Sequence, residues 1–205
     1  LYQGAAVTRL AAPAGAALRV GHTTLRIQPE PQALTIEPSR SRRFGELVGE
    51  SLVMREVFAV LELAAASDVP VLLEGETGTG KEVAARAIHS ASARSRAPFV
   101  ALDCGALPEN LVESELFGHV KGAFTGALQA RRGAFARAHG GTLFLDELDS
   151  LPLALQPRLL RALEARTVRP VGGDEELAVD ALAVAASPRE LAAAFPYQPS
   201  HLATV

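Results

Sequence analysis

Three glycines and a lysine within one octapeptide constrain this chain more than any other feature: Gly75-Glu76-Thr77-Gly78-Thr79-Gly80-Lys81-Glu82. The octapeptide stands between a compact apolar run at 69–73 and a stretch at 82–92 whose Val83, Ala84, Ala87 and Ile88 recur at helical spacing. A buried strand, a glycine turn and a helix follow one another, the order a phosphate-binding loop requires. Glycine accepts the positive φ values that let a backbone wrap an anion and turn its N–H groups inward. The helix start adds a dipole favourable to negative charge. Lys81 can then reach the β- and γ-phosphates of a nucleotide as a compact cation. Lysine is otherwise scarce: Lys121 is the only other one, the remaining basic residues being Arg. The general pattern ends in a Ser or Thr whose hydroxyl meets magnesium, and Glu82 stands at that position.

A second strand-like block, Gly140-Gly141-Thr142-Leu143-Phe144-Leu145-Asp146-Glu147, delivers two carboxylates from an apolar run. The C-terminal ends of strands line the ligand crevice of an α/β sheet. Asp146 is therefore the candidate for holding Mg²⁺, directly or through water. Glu147 is the candidate for polarising the water that attacks a γ-phosphate. Asp-Glu after a strand is also common as a solvated turn; the upstream glycine loop favours the catalytic reading.

The remaining pattern predicts an α/β fold. Ser51 can cap a helix carrying Val57, Phe58, Leu61 and Ala65. Strands are expected at 69–73, 99–102, 142–145 and 179–186. Helices are expected at 82–92, 110–117 and 155–166, the last with Leu155, Leu159, Leu160 and Leu163 on its apolar face. Strand and helix alternate, which predicts a parallel sheet covered on both faces. In front, 1–36 reads as short strands, at 18–20 and 24–27, around a turn at Gly21-His22. Two or three strands form no stable sheet alone, so this piece is expected to belong to a β domain that begins before Leu1. Residues 37–45 form a linker and 46–205 the main domain.

Composition narrows the function. Of 205 residues, 48% are hydrophobic, and the net charge of −3 argues against a nucleic-acid surface spread over the segment. Cys104 is the single cysteine, so an intrachain disulfide is excluded and a reducing cytoplasm fits. No apolar run reaches the length of a membrane span. His89, His119, His139 and His201 show no metal-ligand spacing.

Between the two motifs lies Glu115-Leu116-Phe117-Gly118-His119-Val120-Lys121-Gly122-Ala123-Phe124-Thr125-Gly126-Ala127. Its last six residues, GAFTGA, resemble the signature loop of the sigma-54-dependent transcription activators, bacterial enhancer-binding proteins of the AAA+ class. The resemblance runs from about 44 to 191 and includes GETGTGKE, with Glu at its last position, and the block 140–147. It implies a three-layer AAA+ P-loop domain that binds ATP and Mg²⁺ and assembles into a ring, usually a hexamer. By that resemblance all eight residues from Gly75 to Glu82, together with Gly140, Gly141, Asp146 and Glu147, belong to the nucleotide site. Gly122, Ala123, Phe124, Thr125, Gly126 and Ala127 would be the contacts to the sigma-54 factor of RNA polymerase, Phe124 and Thr125 foremost. Hydrolysis would move this loop and remodel the polymerase so that promoter DNA opens. Enhancer DNA would be bound only through a domain outside this chain. The residues 15–27 also resemble the last strands of a forkhead-associated domain, although its phosphate-gripping residues would lie upstream.

Several positions depart from the family pattern. Asp103 replaces an Asn expected in a strand-end switch, adding negative charge beside Asp146 and Glu147 if the three are neighbours. Val120 replaces a Glu before the loop. Pro188 stands where a polar sensor is expected and has neither a side-chain donor nor an N–H. No Arg follows Arg189, where the family supplies arginine fingers, and the helical lid is not in the chain. Four readings result. They are an activator that hydrolyses ATP, a truncated or degenerate member that binds nucleotide without turnover, an unrelated P-loop NTPase or kinase, and a phosphopeptide module with a passenger domain. The segment alone is expected to be inactive in hydrolysis.

Overall fold

A computed structural model of the chain describes residues 17–20, 23–26, 36–188 and 203–204. The chain divides into two units, Leu1–Ile36 and Glu37–Val205. In the first, β1 (Ala17–Val20) and β2 (Thr23–Arg26) pair antiparallel.

The second unit opens with a tight pair, β3 (Arg43–Phe44) and β4 (Leu47–Val48), turned at Gly45 with φ +59°. Helix α1 (Leu52–Ala65) follows. Ser51 caps it as expected: its Oγ accepts the Met54 amide at 3.2 Å. Then come β5 (Val71–Glu74), α2 (Lys81–Ala91), β6 (Phe99–Asp103) and α3 (Glu109–Phe117). The pair β7 (Gly118–His119) and β8 (Arg131–Arg132) flanks the GAFTGA segment, and the short helix α4 (Ala134–Arg137) leads to β9 (Thr142–Asp146). Helix α5 (Gln156–Ala165), the hairpin β10 (Thr167–Val168) and β11 (Leu177–Ala178), and strand β12 (Leu182–Ser187) complete the order, with β13 (Ala203–Thr204) beyond.

The main sheet runs β13-β5-β12-β9-β6, with every pairing parallel. Alternation along its strands sends successive side chains to opposite faces. Val71, Leu73, Phe144, Leu182, Val184 and Ala186 face one layer, where they meet Phe58 and Leu61 of α1 and Ala85 and Ile88 of α2. Leu72, Leu143, Leu145 and Ala185 face the other, where they meet Val112 and Leu116 of α3, Phe135 of α4 and Leu159 of α5. Both faces are covered, so the strands are apolar throughout rather than alternating. The α/β fold with a doubly covered parallel sheet, expected from sequence, is the fold observed.

Two strand boundaries and one helix face differ from expectation. The first strand begins at Val71 rather than 69, because Pro70 offers no amide to the ladder and Val69 stays 44% exposed. The last begins at Leu182 rather than 179. Asp180 is drawn out of the sheet, its carboxylate holding Arg94 at 3.0 Å and Arg166 at 3.2 Å while its amide donates to His139 Nδ1. On α5 the core face is turned slightly from the expected one. Leu159 and Ala162 are buried with Gln156, whereas Leu160 remains half-exposed. No helix among the described residues is long and apolar enough to cross a membrane. The turn at Gly21-His22 and His201 lie outside the described residues.

Candidate nucleotide site

Strand β5 ends at Glu74, and the chain turns immediately into the glycine loop. Gly75 is tied to the neighbouring strand end by its amide, which donates to the Ser187 carbonyl at 3.2 Å. Gly78 and Gly80 take φ values of +85° and +90°, which a side chain would oppose, and Gly80 is the N-cap of α2. Thr79 closes the turn on itself, its amide and Oγ1 both donating to the Glu76 carbonyl. Lys81, the first residue of α2, folds back over the loop. Its Nζ donates to the carbonyls of Gly75 at 2.7 Å and Glu76 at 2.9 Å. The ammonium is thus held over the loop's mouth by weak neutral acceptors that a phosphate would outbid as hydrogen-bond partner.

The acidic pair reaches the same place. Asp146 ends β9, next to β12 and hence two strands from the loop. Thr77, Gly78, Gly80, Lys81, Glu82, Val83, Asp146, Glu147 and Pro188 together line one cleft of about 290 Å³. The sequence reading expected 146 and 147 beside the glycine loop, and the parallel strand order β5-β12-β9 brings them there. The cleft sits outside the C-terminal strand ends, where chain order switches direction, the usual ligand position in such sheets.

Glu147 adopts φ 49° and ψ 47°, a left-handed conformation uncommon for a residue with a side chain. Such conformations cluster where side-chain direction matters to function. Its carboxylate lies over Gly105 so closely that a Cβ there would come within 1.9 Å of Oε2. A side chain at 105 would push the Glu147 carboxylate from this position, a constraint invisible in the sequence reading.

Asp103 is the residue paired across the ladder with Asp146, so the three carboxylates are neighbours. Its Oδ1 accepts the amides of Gly105 and Ala106 at 2.9 and 3.0 Å. It therefore anchors the turn over which Glu147 lies. Asp149, two residues further along, accepts from Ser187 Oγ at 3.3 Å at the end of β12. Glu82, in the position of the expected hydroxyl residue, lines the cleft and pairs with Arg86 at 2.8 Å.

Cys104, between Asp103 and the turn, is buried, and its thiol is pushed up to about 12 by burial and by the surrounding carboxylates Asp103, Asp146, Glu147 and Asp149. Reactivity follows the thiolate. In the folded chain at pH 8, a disulfide reagent is expected to modify Cys104 at least about a hundredfold more slowly than in the denatured chain. Equal rates would show the strand end to be open.

Gly140 and Gly141 are corrected. They immediately precede β9, five and six residues before Asp146, or about 16–20 Å along an extended chain. Neither lines the cleft. Gly141 instead packs against the Pro98 backbone, where a Cβ would fall 2.0 Å from the carbonyl oxygen. Its role is close strand packing. Leu47 was missed: its Cδ2 lies 3.8 Å from where a Cβ on Gly80 would sit, so an apolar residue of the β3–β4 pair borders the phosphate loop.

The GAFTGA segment lies apart from this cleft, among the β7–β8 connection. Gly122 and Gly126 take φ values of +82° and +101°. The Gly122 amide donates to the Ala127 carbonyl at 2.8 Å and Ala127 to that of Phe124 at 3.0 Å, forming a closed turn. Phe124 is 40% exposed, Thr125 is exposed, and Ala127 is buried. A larger hollow of about 450 Å³ lies below it, bordered by Phe117, His119, Arg132 and Pro170. It carries no phosphate loop.

The histidines have local partners. His89 meets Thr142 Oγ1 at 2.9 Å, and burial lowers its pKa. His119 meets Ser114 Oγ at 2.7 Å. The turn near 174–176 is a hairpin end, closed by Arg169 and Glu176 at 3.1 Å.

The family model described as Sigma-54 interaction domain matches residues 47–198. Among curated proteins, the transcriptional regulatory protein ZraR of Klebsiella oxytoca is 49% identical over 173 residues, 84% of this chain and 38% of that protein. The transcriptional regulator VasH of Vibrio cholerae is 53% identical over 141 residues, 69% of this chain and 27% of that protein. The chain thus spans between about a quarter and two fifths of these relatives. Among solved structures, NtrX from Brucella abortus in complex with ATP superposes with a TM-score of 0.67 at 31% identity. That match covers 80% of this chain and 39% of that one. The family match begins at Leu47 and lends no support to a forkhead-associated identity for 15–27.

Proposed function

The chain belongs to the sigma-54 interaction domain family, and from that premise we propose that it is the ATP-binding, ATP-hydrolysing segment of a transcription regulator that remodels sigma-54 RNA polymerase. The observation that carries this reading is the cleft in which Lys81 and the glycine loop face Asp146 and Glu147. NtrX, a structural neighbour, holds ATP. The same triphosphate suits this loop, whose positive-φ glycines leave open space where a Cβ on Gly78 would stand.

Lys81 would exchange its two carbonyl partners for β- and γ-phosphate oxygens. The loop amides would bind the remaining oxygens, aided by the start of α2. Asp146 would hold Mg²⁺, which neutralises charge on the phosphates. Glu147, kept in its left-handed turn over Gly105, would orient water and take its proton. Binding and release of the γ-phosphate would then select different positions of the GAFTGA loop, in a ring of copies in the cytoplasm. A second reading, nucleotide binding without turnover, is favoured by one observation. Pro188, which lines the cleft, has no donor where a sensor would read the phosphate.

The partner assignment is tested by capture of sigma-54 in the presence of an ATP transition-state mimic. Phe124→Ala is expected to abolish capture while leaving nucleotide affinity unchanged. Undiminished capture would refute the loop's role, and loss of nucleotide binding would show that the variant acts on the fold.

A further inference from the structure

The loop's phenylalanine is not free at its tip. Its ring lies edge-on to that of His119, with centroids 5.0 Å apart and planes at 62°. That is the arrangement aromatic quadrupoles favour. The imidazole is itself fixed, because its Nδ1 is 2.7 Å from Oγ of Ser114, a buried residue of α3. Its backbone is held on both sides as well. His119 pairs with Arg131 of β8 and bridges Val171 of the neighbouring segment. On either side of it, the Val120 amide donates to the Val171 carbonyl and the Val171 amide to the Gly118 carbonyl. Gly118 is packed so tightly against the backbone of Arg131 and Gly133 that no side chain would fit. His119 is therefore a rigid post. The hexapeptide is held by short-range turn bonds, two within itself and one from the Ala123 amide to the Val120 carbonyl, with glycines at positive φ on either side of Phe124.

We infer that His119 is a positioning residue that docks Phe124 against the loop base and restrains it from a partner. The ring contact must break for the whole face of Phe124 to be presented. Serine 114 links this dock to α3, which follows the β6 strand end carrying Asp103. The dock stands on geometry alone; its effect on a partner rests on the sigma-54 reading above.

The chain contains no Trp, so Phe124→Trp supplies a unique reporter. In the full chain, acrylamide quenching of that Trp is expected to rise about twofold when His119→Ala is added, since a side chain 40% exposed gains the rest on release. Adding His119→Phe instead, which keeps a ring at the post, is expected to restore protection. A reporter at Leu128→Trp, a position already 80% exposed, is expected not to change, which excludes general unfolding of the loop. Unchanged quenching at position 124 in the His119→Ala background would overturn the dock. With native Phe124, the His119→Ala chain is expected to capture sigma-54 without nucleotide, which the parent does not. Equal capture by both overturns the restraint. Failure of the parent to capture sigma-54 in any nucleotide state overturns the partner reading instead, and quenching still decides the dock.

Discussion

Lys81→Ala is expected to weaken ATP binding by about a hundredfold, read by titration calorimetry. The ammonium is the one cation whose Nζ is held over the loop, and hydrogen bonds to charged groups contribute about 1.5–3 kcal/mol each, with tenfold per 1.4 kcal/mol. The loss has two sources. The phosphate contacts go, and so do the bonds from Nζ to the Gly75 and Glu76 carbonyls that shape the empty loop. Glu147→Gln is the contrasting variant. It keeps the side-chain size over Gly105, so ATP affinity is expected to stay within about threefold, while turnover in a hydrolysing assembly falls by about 10²–10⁴-fold. Equal affinity for ATP in the parent and Lys81→Ala chains would remove the nucleotide site from this cleft.

Gly141→Ala is expected to lower stability by about 3 kcal/mol, measured by urea denaturation, since overpacking against immovable atoms costs about 1–3 kcal/mol and sometimes more. The atoms in the way are backbone: Pro98 O at 2.0 Å, with Pro98 C and N at 2.9 Å. They cannot rotate aside, because the Pro98 carbonyl also receives the Thr142 amide at 2.9 Å, the bond that starts the β6–β9 ladder. ATP affinity of the folded fraction is expected to be unchanged, since the nucleotide cleft is at the far end of β9. A stable variant with impaired binding would return Gly141 to the nucleotide site.

These two glycine stretches show how far a sequence pattern reaches. At 75–82 the spacing was sufficient to read the strand, turn and helix, because they are consecutive and the geometry is local. At 140–147 the motif mixed two functions at opposite ends of one strand. Its glycines and carboxylates share one octapeptide but are separated by the strand's rise. Gly105 carried no readable signal, since its reason is a carboxylate more than forty residues away. The contact of Phe124 with His119 was equally hidden: five residues apart, both lay in a segment without helical or strand period. Asp103, read as occupying a strand-end switch position with added charge, also anchors the turn beneath Glu147.

By itself the sequence determined the glycine turn between strand and helix, the parallel α/β class and the acidic pair at a strand's end, because local periodicity and glycine conformational freedom act over a few residues. Tertiary structure supplied the strand order β5-β12-β9, which brings residues 146, 147 and 188 to the cleft lined by 77–83. It also decided which glycines border the cleft and which pack against neighbouring backbone. That distinction depends on what occupies the space beside each Cα, and neighbours in the chain do not specify it.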